Sequence, residues 1–255
     1  MPSGADAVLS KDPLNPEQRW SALLDEAGRC IEEHDTVGAR AVLQEAISYV
    51  DETWGADDVH LIRLLRLMAE SYWREHEPLD PNNRQEVDCL RRALAVARRR
   101  LSPDHLEVAR LAAEVGVALV IAGDRDEGCT RMVECLEIAR KNGCEEDFAR
   151  YLSLIGDARM EQEQPTEALT FYERAARLSE DRDPSSIPHA LDRYHLGRCL
   201  VALCRYDEAI DQLQVALGLA DAKRVHGKYA DIVNEIMDTI ERAERGALAA
   251  PTKQE

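Results

Sequence analysis

Apolar residues recur along the chain with the spacing of one face of an α-helix. The clearest stripe runs through Leu61, Leu64, Leu65, Met68 and Tyr72, which follows the i, i+3, i+4, i+7 pattern of an amphipathic helix. Short polar or glycine-containing breaks separate such segments. The pattern predicts five helix pairs and a last helix. The first pair covers about 16–34 and 37–53, and the second has one helix that starts near 57 and another over 83–100. The third pair covers 103–143 with a break at 122–124, the fourth 145–179 with a break near 164–165, and the fifth 188–222 with a break near 204–205; the last helix covers about 229–245.

Three capping signals set the expected helix starts, and the first of them also sets a domain limit. Asn15 followed by Pro16 is typical of a capping residue and the first position of a helix, and Ser102-Pro103-Asp104 predicts a second start of that kind. After a turn-rich insertion at 77–83, Asn83 and Glu86 have the spacing of a capping box. We expect a disordered segment over 1–15, a folded domain over 16–246 and a disordered tail over 247–255.

Small residues repeat at fixed offsets on successive helices. The offsets are twelve and then seven residues in three consecutive copies, and the same offsets occur near the N-terminus at Ala27, Ala39 and Ala46. Ala69, Glu86 and Ala93 form a fifth copy with five extra residues in the first gap. Small residues mark places where helices approach closely, so a repeated helix pair predicts a solenoid. The three consecutive copies are Gly116, Gly128 and Cys135, then Gly156, Ala168 and Ala175, then Gly197, Ala209 and Ala216.

This pattern resembles the tetratricopeptide repeat (TPR). Its best copy is Leu196-Gly197, Leu200, Tyr206, Ala209, Leu213 and Ala216. Equivalent positions lie 42, 47, 40 and 41 residues apart, which is longer than the usual repeat and is similar to the long repeats of kinesin light chains. The resemblance implies an all-α, TPR-like α-solenoid of about five helical hairpins with a C-terminal capping helix. It also implies a noncatalytic adaptor or scaffold that binds a protein or peptide partner.

The resemblance further implies that a partner contacts the concave surface, which the first helix of each hairpin forms. The family's carboxylate clamp for chaperone C-termini uses Lys and Asn at set positions. No such set occurs in this sequence, so the resemblance does not imply co-chaperone activity. The residues expected to face the partner are Arg63, Arg66, Glu70, Trp73, Arg110, Val117, Arg150, Asp157, Met160, Tyr194 and Arg198.

Arg63, Arg110 and Arg150 occupy the same repeat position in three consecutive copies. Arginine binds carboxylates through a planar fork, so a row of arginines beside apolar residues predicts an acidic partner segment with an apolar or aromatic anchor. The alternative is that these arginines form ion pairs inside the protein with Glu70, Asp157 and Glu161, which would contribute little stability on an exposed surface.

Composition narrows the function classes. The formal net charge is −17, which argues against nucleic-acid binding because that needs a basic footprint. No window approaches an apolar membrane span of about 18 residues, and we expect no signal peptide and no membrane insertion. Seven cysteines without a CxxC pair favour free thiols and a cytoplasmic location.

His195 and Cys199, with Cys204 nearby, raise the question of a metal site. Zinc needs three or four converging ligands, so packing at a helix interface is the better interpretation, and Cys129 and Cys135 are expected to be buried structural thiols. No catalytic or nucleotide-binding motif occurs, and we expect no cofactor. An adaptor is therefore the leading hypothesis, a self-assembling subunit that forms homo-oligomers is the alternative, and an enzyme or metal protein is a third class.

Overall fold

The structure is a computed structural model that describes residues 15–75, 84–145, 150–223 and 230–249. Within these ranges the regular structure consists of eleven α-helices and contains no strand, as the sequence predicts. The chain divides into two compact units, Met1–Ser102 and Pro103–Glu255. Of the predicted disordered ends, 1–15 and 247–255, residues 1–14 and 250–255 lie outside the described residues, and so does the insertion at 77–83 with Asn83.

The first unit contains two helical hairpins. Asn15 caps the first helix by accepting a hydrogen bond from the Glu17 backbone N–H at 2.8 Å, and Gln18 completes a capping box by accepting from the Asn15 N–H at 3.2 Å. The second helix packs on the first and third, and the fourth packs on the third. These helices are α1 (Pro16–Glu32), α2 (Thr36–Thr53), α3 (His60–Glu75) and α4 (Arg84–Arg100).

The second unit contains three hairpins and a final helix. Each helix packs on the next along the chain, and the first helices of neighbouring hairpins also contact each other. The helices are α5 (Leu106–Ile121), α6 (Arg125–Lys141), α7 (Arg150–Glu161), α8 (Pro165–Arg182), α9 (Ile187–Ala202), α10 (Tyr206–Lys223) and α11 (Ala230–Ala249).

Two predicted helix limits are wrong. α5 begins at Leu106 and not at Pro103, because His105 Nδ1 accepts the Glu107 N–H at 3.1 Å and so provides the cap. Asp104 instead accepts a hydrogen bond from Lys141 Nζ at 2.7 Å, which ties this loop to the end of α6. α11 continues to Ala249, so the first three residues of the predicted tail are helical. The predicted start of the helix before Gly156, near Glu145, is followed by residues 146–149, which lie outside the described residues.

The repeated small residues are the points where helices cross. A Cβ atom placed on Gly116 would lie 2.8 Å from the Gly128 carbonyl oxygen, and one on Gly128 would lie 2.7 Å from the Gly116 carbonyl oxygen. A Cβ on Gly156 would lie 2.6 Å from the Tyr172 ring. These separations are shorter than van der Waals contact, so the predicted role of these positions in helix packing is confirmed.

His60 joins three elements of the first unit. Its ring stacks on Trp54 with centroids 4.5 Å apart and meets the edge of Trp20 at 4.6 Å. Its Nδ1 lies 2.5 Å from Asp58 Oδ1 and its Nε2 lies 3.3 Å from Glu17 Oε2. Burial acts to raise the pKa of Asp58, but hydrogen bonds from the His60 backbone and ring, with the attraction of His60, hold that pKa below its usual value.

Gly197→Ala should lower the free energy of unfolding by about 1–3 kcal/mol, because the added Cβ would lie 2.5 Å from Leu213 Cγ inside a packed core. Denaturant unfolding followed by far-UV circular dichroism measures the effect. Gly218→Ala is the matched control, since a Cβ there meets nothing within 4 Å and alanine favours helix by up to about 1 kcal/mol. Equal effects of the two substitutions would contradict the crossing-point assignment.

Asp58→Asn should destabilise the protein at neutral pH but not in acid. Asparagine keeps an oxygen that can accept the His60 N–H but removes the charge. Because the folded-state pKa of Asp58 is lowered, its charge stabilises the fold above about pH 4 and this contribution is lost as the pH falls through the lowered pKa. Unfolding curves across acid and neutral pH, with exposed Asp25→Asn as control, should converge for Asp58→Asn and wild type at low pH. A difference that persists unchanged there would refute the charge argument.

Candidate protein-binding surface

Exposed arginines lie on the first helices of all three hairpins in the second unit. α7 contacts both α5 and α9, and Arg110, Arg150 and Arg198 are exposed on these three helices. The Arg110 side chain is 60% exposed, and its Nη1 is 3.9 Å from Glu107 Oε2 on the same helix, at the outer limit of an ion pair. The Arg110 side chain is therefore largely open to solvent.

Tyrosine side chains hold the other two guanidinium groups. Arg150 Nη2 donates to the Tyr151 hydroxyl at 2.6 Å, and its guanidinium carbon lies 4.7 Å from the centroid of that ring. The Arg198 guanidinium carbon lies 5.5 Å from the Tyr194 ring centroid. Cation–π contacts orient an arginine without satisfying its hydrogen-bond donors, so both groups keep donors for a further acceptor.

The carboxylates expected to pair with these arginines have other partners. Glu161 Oε2 accepts from Arg125 Nη2 at 2.6 Å. Asp157 Oδ1 accepts the Tyr172 hydroxyl at 2.7 Å and lies 3.3 Å from His195 Nδ1. Burial acts to raise the pKa of Asp157, but His195, Tyr172 and the positive charge of Arg198 together lower it. Arg198 thus acts on Asp157 through charge, while Arg150 does not pair with Glu161 or Asp157.

Tyr194 is a correction to the predicted contact residues. Its side chain is only 8% exposed because it packs with Leu213, Val233 and Ile236 in the cluster between α9, α10 and α11. Its hydroxyl donates to Glu235 Oε2 of α11 at 3.3 Å. The capping helix was predicted, but the sequence gives no register between α11 and α9, so this burial was missed.

The remaining predicted contact residues fall into two groups. Val117 and Met160 are half-buried, and Met160 packs against the core cluster that contains Tyr172, so each offers a partner only part of its surface. In the first unit, Arg63 is exposed on α3 and Trp73 is 49% exposed. Arg66 and Glu70 are half-buried and already have interaction partners.

A cleft of about 630 Å³ opens between the starts of α7 and α9 and the end of α8. We call it the α7–α9 cleft. The sequence does not predict this cleft. Its residues come from three helices, and Arg182, for example, has only the local pattern of a basic residue at a helix C-terminus. Its lining includes Arg150, Leu178, Arg182, Pro188, Leu191 and His195.

The possible metal ligands do not converge. Cys199 Sγ donates to the Pro165 carbonyl oxygen at 3.1 Å, whereas His195 faces Asp157. Among the described residues, no group of three or more His, Cys, Asp or Glu side chains has a metal-binding arrangement. The helices of the described segments also include none with the length and apolarity needed to span a membrane.

The thiols differ sharply in accessibility. Cys129, Cys135 and Cys199 are buried and Cys204 is exposed. Burial raises the pKa of Cys135 to about 12 and that of Cys199 to about 11. Because the thiolate is the reactive form, these two side chains should be inert in the native state.

Titration of the native protein with a chromogenic disulfide reagent should label Cys204 first, and Cys135 and Cys199 only after denaturation. Cys204→Ser should remove the fast phase and leave the slow phases unchanged. Rapid labelling of Cys135 in the native protein, shown by peptide mapping, would refute its assignment as a buried structural thiol.

Comparisons with known proteins agree with this geometry. Residues 147–222 match the model of the tetratricopeptide repeat family. No protein with a curated description matches the sequence. Among solved structures, a putative kinesin light chain with nearly identical TPR-like repeats from Podosopora anserina aligns with a TM-score of 0.67 at 14% identity, over 83% of this chain and 99% of that one.

Two further solved structures share the fold. The apo form of RapI aligns with a TM-score of 0.68 at 13% identity, over 91% of this chain and 84% of that chain. The MamA protein aligns with a TM-score of 0.61 at 12% identity, over 82% of this chain and 96% of that chain. At such identities the likeness establishes the fold, and the predicted TPR-like solenoid with long, kinesin-light-chain-like hairpins is confirmed.

Proposed function

We propose that this chain of TPR-like hairpins is a noncatalytic adaptor that binds an acidic peptide segment of a partner protein on the face formed by its first helices. The observation that carries the proposal is the set of exposed guanidinium groups on α5, α7 and α9. Arg110 makes only a long contact with Glu107, and tyrosines hold Arg150 and Arg198. A carboxylate from outside would be a stronger acceptor than a neutral hydroxyl.

The overall charge makes this arrangement informative. At a net charge of −17 the long-range field repels an acidic partner, so recognition depends on short-range contacts with the arginines. Long-range repulsion between exposed charges is largely screened at physiological ionic strength, where the Debye length is about 8 Å. Direct hydrogen-bonded contacts persist under those conditions, which favours a segment that fits the arginine positions over acidic polymers in general.

Charge reversal of Arg110 and Arg150 should weaken binding of a labelled acidic peptide with an aromatic anchor by about tenfold or more, because each attraction becomes a repulsion. Fluorescence anisotropy at low and high salt measures the affinity, and the difference from wild type should shrink as salt screens the charges. Arg63→Glu, measured separately, tests the corresponding position in the first unit.

The control is reversal of Arg140 and Arg177, which are exposed on the second helices α6 and α8. It makes the same change in net charge, so any general electrostatic effect appears equally in both variants. Equal losses would show that the first-helix face is not the binding surface, and unchanged affinity after reversal of Arg110 and Arg150 would refute the proposal.

A self-assembling subunit remains the alternative function, and the cytoplasm remains the expected location. Light scattering of the full chain across the concentrations used for peptide binding separates the two functions. A monomer that binds peptide supports the adaptor, whereas concentration-dependent oligomers that exclude the peptide support self-assembly. In both cases the first-helix arginines are the groups to test.

A further inference from the structure

We propose that His189 and Arg193 form an acid-sensitive clasp between two neighbouring hairpins, α7–α8 and α9–α10. The clasp is closed when the His189 ring is neutral, and it opens in mild acid, when the ring takes up a proton beside the arginine. The inference goes beyond the proposed function, because it concerns the contact between repeats and requires no partner. Its basis is a buried imidazole whose hydrogen bonds are those of the neutral form.

The fold encloses His189 in the first turn of α9. The residue is 2% exposed, and its backbone N–H donates to the hydroxyl of the capping residue Ser186 at 3.3 Å. α8 packs on α9, and Ser179 of α8 contacts the His189 ring. The ring therefore lies at the interface between the two hairpins, where a charge would be largely cut off from water.

The two ring nitrogens of His189 have opposite hydrogen-bond roles. Arg193 Nε always carries its hydrogen and lies 3.4 Å from His189 Nε2, so Nε2 is the acceptor. His189 Nδ1 lies 3.1 Å from Ser179 Oγ, and that hydroxyl donates to the Ala176 carbonyl oxygen at 3.1 Å. Nδ1 is therefore the donor, and a ring with one acceptor and one donor is the neutral imidazole.

The Arg193 guanidinium ties three helices together. Its Nη1 donates to Gln212 Oε1 of α10 at 2.6 Å, and its Nη2 donates to Glu180 Oε2 of α8 at 2.7 Å. The Arg193 side chain is 19% exposed, whereas that of Glu180 is 51% exposed, so the cation is the more enclosed member of the pair. Arg193 can move away from a charged His189 only by weakening the bonds that join α8 and α10 to α9.

Protonation of His189 would place two cations side by side in this enclosed site. Burial and then the positive charge of Arg193 lower the pKa of His189, and the negative charges of Glu180 and Asp192 only partly oppose them. These are the charged groups that act on the ring from α8 and α9, and α10 contributes the neutral Gln212 through Arg193. A proton on Nε2 would also remove the acceptor of the Arg193 Nε–H.

The lowered pKa gives the direction of the pH response. Once the clasp opens, His189 is free to titrate at the ordinary histidine pKa of about 6.5, so the open state binds more protons than the closed state. The closed clasp therefore keeps its full stability above about pH 6.5 and loses it as the pH falls from there towards the lowered pKa. Between pH 7.5 and about 5.5 the opening equilibrium should rise by up to about tenfold.

Hydrogen exchange of the full-length chain at pH 7.5 and at about pH 5.5 tests the proposal, with the rates corrected for the intrinsic effect of pH. Protection of α9 should fall several-fold at the lower pH, with about tenfold as the limit, and protection of α5 should be retained. Carboxylates ordinarily titrate near pH 4, so this pH interval selects histidine.

Two substitutions on α9 form a matched pair. His189→Gln should abolish the acid response, because glutamine stays neutral and offers both an acceptor and a donor. His195→Gln should keep the response, because His195 faces the carboxylate of Asp157 at 3.3 Å and not an arginine. Equal acid responses in wild type and His189→Gln, or no loss of α9 protection in wild type, would overturn the proposal.

Nitrogen NMR of the ¹⁵N-histidine-labelled wild-type chain examines the ring without any substitution. At pH 7.5 the His189 ring should carry its hydrogen on Nδ1 and none on Nε2, and its titration midpoint should lie below about 6.5. A hydrogen on Nε2 at pH 7.5, or a midpoint at or above the ordinary value, would contradict the clasp even where His189→Gln fails to fold.

These measurements need no ligand, so their outcome is independent of the proposed function. An unchanged α9 at low pH removes the clasp and leaves peptide binding by the first-helix arginines untouched. A chain that binds no acidic peptide but loses α9 protection in acid keeps the clasp and loses the adaptor.

Discussion

Close approach of helices at small residues is the constraint on which the structure depends. At Gly116 and Gly128 two backbones approach until each carbonyl oxygen occupies the space of the other residue's side chain, and at Gly197 a leucine fills that space. Backbones this near restrict how α5 and α6 can pack on each other, which helps to fix the residues that α5 presents outward. Arg110 lies six residues before Gly116 on α5, and Arg150 lies six residues before Gly156 on α7, so each arginine has the same offset from a crossing point.

Tyrosine rings restrict the motion of two of the exposed arginines. A flexible guanidinium loses conformational entropy when it binds, and this lowers affinity. Tyr151 and Tyr194 hold Arg150 and Arg198 near the surface before a ligand arrives, which reduces that loss. Tyr194 can do so because α11 packs around it and buries most of its ring. The capping helix therefore affects the neighbouring first-helix surface as well as covering the end of the stack.

The sequence predicted the helices well because periodic apolar residues, prolines and glycines act locally. Pro16, Pro165 and Gly123 mark boundaries that the structure confirms. It failed where a distant contact decides the outcome. Pro103 does not begin a helix because His105 and Lys141 organise that loop differently. The burial of Tyr194 and the α7–α9 cleft depend on the register between helices far apart in the chain, which a single sequence does not encode in any local pattern.

The cluster around His60 has a practical consequence for measuring how the protein unfolds. Trp20 and Trp54 flank that ring, and Trp73 lies on α3, so all three tryptophans of the chain belong to the unit that ends at Ser102. Intrinsic indole emission is therefore a natural reporter of one unit alone, while the backbone signal in the far ultraviolet sums over both. Superimposable transitions from the two signals would mean that the halves melt as a single cooperative body, and separated midpoints would assign a stability to each.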